Sequence, residues 1–261
     1  MKSIQVTLWA EWLKVRKSKV LWITMLFFAF VAVMMGLIVL LQQHPEIAEK
    51  LGLIGVKANM LKMGQPNWEN YLGLLLQGMS GVGLIGFGFI TSWVFGREYT
   101  DHTIKDILAL PSPRSSFVIS KLIVIMVWGI MLTLVFFGAG LLFGVIAGLP
   151  GWSGEMIGQI LYKLTMVSLL SILLCTPIAF FASCSNGFLL PVGIVILTML
   201  MANFTGLLGV GPYFPWSIPA MFCVPAGTPI GVTAASYLIL LGTSAVGLAG
   251  TIGWWKYADQ K

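Results

Sequence analysis

The amino-acid sequence predicts an all-α, polytopic membrane protein with six spanning helices, and three observations carry that prediction. Of 261 residues, 58% are apolar and only 9% are charged, whereas soluble domains carry charge on about a quarter of their residues. The mean hydropathy of +0.94 also excludes a disordered chain, which stays unfolded for want of apolar surface to bury. The apolar residues come in continuous runs that can cover a hydrocarbon core of roughly 30 Å as helices, without the polar alternation of a barrel strand.

In residues 1–19, Ile4, Leu8, Trp12 and Val15 recur at helical spacing beside Trp9 and Leu13, with Gln5, Thr7, Glu11 and Lys14 opposite. This predicts an amphipathic helix lying in the membrane interface with its polar side wet. Arg16, Lys17 and Lys19 close it at the leaflet, where each cation is worth about 1 kcal/mol against anionic lipid. It serves either as a topogenic anchor or as a docking surface for a partner.

The first span is expected at 20–41, and Gln42, Gln43, His44 and Pro45 follow it in place of a small-residue cleavage site, so it should stay attached. The others are expected at 71–95, 122–146, 160–182, 188–210 and 233–255, all in one transmembrane domain, 1–261. Lys and Arg are retained on the cytoplasmic side. With the N-terminus inside, the inner segments hold 11 of the 15 basic residues and five of the nine acids. A multi-pass protein of the cytoplasmic (inner) membrane with both termini in the cytoplasm is expected. The formal charge of +6 then reports topology and attraction to membrane lipid, with no call for nucleic acid.

Ionisable residues are almost absent from these spans, Lys163 near the outer end of the fourth being the exception. Charges in mid-membrane mark proton relays and ion paths, so ion-coupled transport is disfavoured and Lys163 is expected to snorkel. Cys175, Cys184 and Cys223 offer neither a disulfide framework nor metal-ligand spacing. Gly81, Gly83 and Gly86 satisfy a dinucleotide-binding G-x-G-x-x-G, but inside an apolar span, where close helix packing is expected, as at Gly140, Gly144 and Gly148. Gly78-Met79-Ser80-Gly81 resembles an intramembrane serine protease motif, yet His44 and His102 both fall in loops, so the serine lacks a base. The sequence has no Walker-type phosphate loop.

The longest inner loop, 96–121, reads GREYTDHTIKDILALPSPRSSFVISK. Ile104, Ile107, Leu108 and Leu110 form the apolar side of a short helix, while Glu98, Asp101, Lys105 and Asp106 keep the other side wet, and Pro111 and Pro113 break it. Such a helix either fits a groove on another protein or is a solvated loop whose charges report topology. Residues 211–231 are too apolar for an ordinary loop and contain Pro212, Pro215, Pro219, Pro225 and Pro229, which forbid a long helix. Its aromatics either anchor the interface or are buried at the centre of an assembly.

Glu98-Tyr99, Thr103, Lys105, Leu108, Pro111, Arg114 and Lys121 resemble the E-Y…T-x-K-x-x-L…P-x-x-R…K signature of type-2 ATP-binding-cassette (ABC) transporter permeases. An interfacial N-terminal helix and six spans agree with that family, and His102 stands where the family commonly has glycine. The resemblance implies a membrane subunit of an exporter that moves an amphiphile, such as an antibiotic or lantibiotic-like peptide. It implies two permease subunits, a copy or a paralogue, above a separate ABC ATPase pair that holds ATP and Mg, with no cofactor bound by this chain and no catalysis of its own.

Under that resemblance, Arg97, Glu98, Tyr99, Asp101, Thr103, Lys105 and Asp106 form a coupling helix, with Pro111 and Arg114 fixing its exit and Trp9, Trp12, Lys14, Arg16 and Lys17 of the N-terminal helix in support. Gln77, Thr91, Asn203 and Thr205 are expected along the substrate path, and Tyr213, Phe214, Pro215, Trp216 and Pro219 in short outer re-entrant helices that gate it. Two rivals are the six-span capture subunit of an importer and an intramembrane enzyme. The first has no need of the 98–114 signature, and the second lacks intramembrane acids and bases.

Overall fold

A computed structural model describes residues 2–44, 65–101, 103–104, 113–185, 187–224 and 231–257. Nine α-helices occur among the described residues: α1 (Lys2–Arg16), α2 (Lys19–Gln43), α3 (Trp68–Thr100), α4 (Arg114–Ile146), α5 (Gly154–Leu173), α6 (Thr176–Cys184), α7 (Leu189–Leu207), α8 (Ile218–Phe222) and α9 (Ala234–Tyr257). Two single 3₁₀ turns, Gly211–Tyr213 and Pro215–Ser217, precede α8. Six units are long and apolar enough to cross a membrane: α2, α3, α4, α5 with α6, α7 and α9. The chain is thus an all-helical, multi-pass membrane protein.

The fourth unit is not one rod. Pro177 has no N–H to give and its ring collides with the carbonyl four residues back, so the helix stops at Leu173 and restarts at Thr176. Thr176 Oγ1 donates to the freed Leu173 carbonyl at 3.0 Å and to the Ser244 carbonyl of α9 at 2.7 Å, which ties the break to α9. Gly247 sits against the Pro177 backbone there, because only a residue without Cβ lets the two chains approach so closely.

The centre of the bundle is α3, which packs on α2, α4, α5, α6 and α7. Its glycines permit this: a Cβ on Gly86 would stand 2.5 Å from the Phe28 ring of α2. Phe28 stacks on Phe87 and meets Phe136 edge-on, and the buried Trp128 Nε1 donates to Thr24 Oγ1 at 3.2 Å. Gly140 and Gly144 likewise face Leu75 and Trp68. Gly148 differs from expectation: with φ +63 and no neighbour within 4 Å, it follows the end of α4 in the left-handed conformation and makes no close packing.

Up-and-down order brings α1, the end of α3, the start of α4, the start of α7 and the end of α9 to one end of the bundle. Thirty-three residues make α3 about 50 Å long. The turns around α8 therefore lie at the other end, where Cys223 Sγ reaches the Leu76 carbonyl at 3.6 Å. The exposed Lys163 near the start of α5 is at that same end.

Candidate functional site

The chain's only buried ion pairs among the described residues gather at the α1 end. Lys121, in the first turns of α4, is 0% exposed. Its ammonium donates to Glu11 Oε2 at 3.0 Å, Glu98 Oε1 at 2.9 Å and the Val94 carbonyl at 3.1 Å, so all three of its protons are used. Lys14 donates to Glu11 Oε1 and to Glu98 Oε1, both at 2.9 Å. Thr103 Oγ1 donates to the remaining Glu98 oxygen at 2.7 Å. Two acids and two bases cancel, and each buried charge has partners, which is the condition under which burial of ions is tolerated.

Backbone geometry delivers Thr103 to this place. The Thr103 N–H donates to the Glu98 carbonyl at 3.0 Å, a six-residue closure just past the end of α3. The same turn sets the hydroxyl over the Glu98 carboxylate. Next to the ions, Thr7 Oγ1 and Ser120 Oγ share a hydrogen bond of 2.7 Å. Thr7, Glu11 and Val15 recur every four residues and are all buried, while Val6 and Trp9 are 67% and 68% exposed.

The interfacial helix thus lies with Thr7 and Glu11 turned inward, where the sequence reading placed them on a wet face. A helix against a bilayer has an apolar neighbour outside and polar partners only inside, so hydrogen bonding draws the polar stripe in. Glu98, also expected on a wet side, is 2% exposed for the same reason. Lys14 is half-buried, and its amine is raised above its ordinary 10.5: burial works to lower it, and the facing carboxylates of Glu11 and Glu98 outweigh that.

The other expected residues are distributed as follows. Arg97 lies over the Trp93 ring, 4.7 Å from its centre, and Asp101 is exposed at the end of α3. Tyr99 is half-buried, Trp12 packs against the core and Arg16 and Lys17 are exposed. Arg114 reaches across to α9, where Nη1 donates to the Trp255 carbonyl at 3.3 Å and so places a cation at a helix C-terminus. Lys105, Asp106 and Pro111 lie outside the described residues.

Gln77 and Asn203 are both exposed. Gly88 faces Val195 and Gly81 faces Met199, so α3 and α7 run antiparallel and these two amides come to a similar depth. Thr205 is half-buried and bonded to the Ala202 carbonyl, whereas Thr91 is buried and bonded to the Phe87 carbonyl, away from any exposed face of this chain. Ser80 Oγ donates to the Gln77 carbonyl at 2.7 Å. Pro215 begins the second 3₁₀ turn; Tyr213 is exposed, Phe214 and Trp216 lie 5.5 Å apart, and Pro219 is buried.

Glu11 and Lys121 are the members of the ion cluster that sequence reasoning did not single out as site residues. Lys121 was visible as the last residue of the signature string, and Glu11 had no signal beyond its helical spacing from Thr7 and Val15.

Six apolar helical units, with Glu98, Thr103 and Lys121 gathered at one end, make a multi-pass membrane protein with a buried ion cluster at that end. The chain belongs to the ABC-2 family of transporter proteins, whose pattern matches residues 7–203. It is also similar to the bacitracin transport permease protein BCRB of Bacillus licheniformis. The two are 29% identical over 180 residues, which cover 68% of this chain and 86% of that protein.

Proposed function

We propose that this chain is the permease subunit of an ABC exporter in the cytoplasmic membrane, both termini inside, carrying an amphiphilic substrate outward. A peptide antibiotic is the favoured cargo, on the strength of the bacitracin permease relative. The observation that carries the reading is the ion cluster. It joins α1, α3 and α4 through Glu11, Lys14, Glu98 and Lys121, so a push on the chain between α3 and α4 moves three helices together.

The push comes from a separate ATPase pair that holds ATP and Mg, docked on the 96–121 segment through Lys105 and Asp106. Pro111 and Arg114 fix the exit of that segment, and Arg114 passes displacement on to α9. Support for a second permease, a copy or a paralogue, comes from α7, of whose apolar window only 11% is buried within this chain. A second subunit against α7 would enclose Gln77 and Asn203 along the substrate path, with the half-buried Thr205 two residues beyond Asn203. The turns carrying Tyr213, Phe214, Pro215, Trp216 and Pro219 would close the outer exit.

Co-purification of the tagged chain with a cassette ATPase tests the reading. Charge reversal at Lys105 and Asp106 should abolish it, and ATP-driven uptake of a labelled peptide antibiotic by inverted vesicles should fall with it. Uphill transport by the permease alone on an ion gradient, or tight ATP-independent capture of one small ligand, would refute it.

A further inference from the structure

A cleft of about 480 Å³ opens where α1 turns into α2, lined by Lys17, Ser18, Trp93, Arg97, Asp101 and Phe188 among others, a size suited to a small ligand. We infer that this cleft binds the phosphodiester headgroup of an anionic phospholipid from the leaflet on which α1 lies. The inference does not depend on what the protein transports.

The charges favour an anion. Glu11 and Glu98, behind the wall, are neutralised by Lys121 and by Lys14, which itself lines the cleft, whereas Lys17 and Arg97 make no ion pair among the described residues. The guanidinium is held over the Trp93 ring, and its planar set of donors suits a phosphate. Ser18 caps the 25-residue helix α2, so the positive end of that helix dipole also meets the cleft.

The walls favour a lipid over a free phosphate. Phe188 is 39% exposed and, with Trp93, offers an apolar side that inorganic phosphate cannot use. In the turns of α2 that follow Ser18, Trp22, Ile23 and Leu26 are exposed, a surface for acyl chains. Asp101, on the rim, repels any anion, but it opposes a singly charged phosphodiester less than a phosphate of nearly two charges.

The test is native mass spectrometry of the purified full chain in mixed phosphatidylglycerol and phosphatidylcholine. The wild type should retain phosphatidylglycerol selectively, and Lys17→Gln with Arg97→Gln should reduce that retention about tenfold or more. Lys17→Gln alone, at an exposed residue, should reduce it roughly fivefold. Asp101→Asn should increase it, a gain that a damaged fold cannot produce. Lys256→Gln, an exposed cation elsewhere, should leave it unchanged. Full retention by the double variant, an equal loss in Lys256→Gln, or displacement by inorganic phosphate or glycerol 3-phosphate would overturn the inference.

Discussion

Lys121 Nζ lies 2.9 Å from Glu98 Oε1, with both side chains sealed from solvent. The pair joins the first turns of α4 to the last turn of α3, on either side of the segment that carries the family signature. Removal of one partner from a buried pair leaves an uncompensated charge and costs about 3–5 kcal/mol. Lys121→Met should therefore lower the melting temperature in detergent sharply. Lys121→Met with Glu11→Gln, which restores neutrality, should recover part of the loss. Equal melting of single variant and wild type would mean that the cluster is not closed in the folded protein.

Lys14 makes the α1 contact sensitive to alkali. Its folded-state pKa is raised by Glu11 and Glu98 against the opposing effect of burial, so its contribution is complete below the ordinary 10.5 and disappears as pH climbs through the folded value above it. A stability curve against pH should show the wild type losing, above 10.5, the advantage it holds over Lys14→Gln at neutral pH. Parallel curves through that window would contradict the assignment.

Thr103 Oγ1 completes the Glu98 carboxylate. A hydrogen bond to a charged group is worth about 1.5–3 kcal/mol, and Thr103→Ser keeps the donor while Thr103→Val removes it. Vesicle transport should survive the first change and fall several-fold in the second, with ATPase docking retained in both. Equal transport by the two variants would remove Thr103 from the coupling path.

Gly247 has no room for a side chain, since a Cβ would stand 2.7 Å from the Thr176 carbonyl carbon as well as against Pro177. Backbone atoms cannot swing aside, so Gly247→Ala should destabilise the protein by about 1–3 kcal/mol. Gly138→Ala, with nothing within 4 Å, should be neutral or stabilising by up to about 1 kcal/mol. Differential scanning fluorimetry on the two variants separates close approach from helix propensity.

If α7 faces a second permease, cysteine at Asn203 in a background lacking Cys175, Cys184 and Cys223 should form an intermolecular disulfide on oxidation in membranes. Cysteine at Leu142, 68% exposed on α4, should not. Cross-linking from Leu142 alone would move the interface away from α7.

The six spanning units were legible because each needs only its own residues: an apolar run satisfies its backbone within itself wherever it sits in the bilayer. The single span expected at 160–182 overlooks the break at Pro177, and the tie of that break to α9 depends on Gly247, which meets it from 70 residues further along the sequence. The signature string marked Glu98, Thr103 and Lys121 as a set without showing that they touch. Glu11 was misread because the polar stripe of an amphipathic helix is assigned to water by default. Beside a membrane bundle the better partner lies inward, and that partner is chosen by α3 and α4.

The all-helical membrane architecture is therefore readable from consecutive residues, since transfer of an apolar helix into lipid is a local property of the run. Which charges meet is a matter of packing. Glu11 and Lys121 are 110 residues apart, and their pairing follows from how α1, α3 and α4 pack, because an ion is stable in that interior only where the fold supplies its counter-ion.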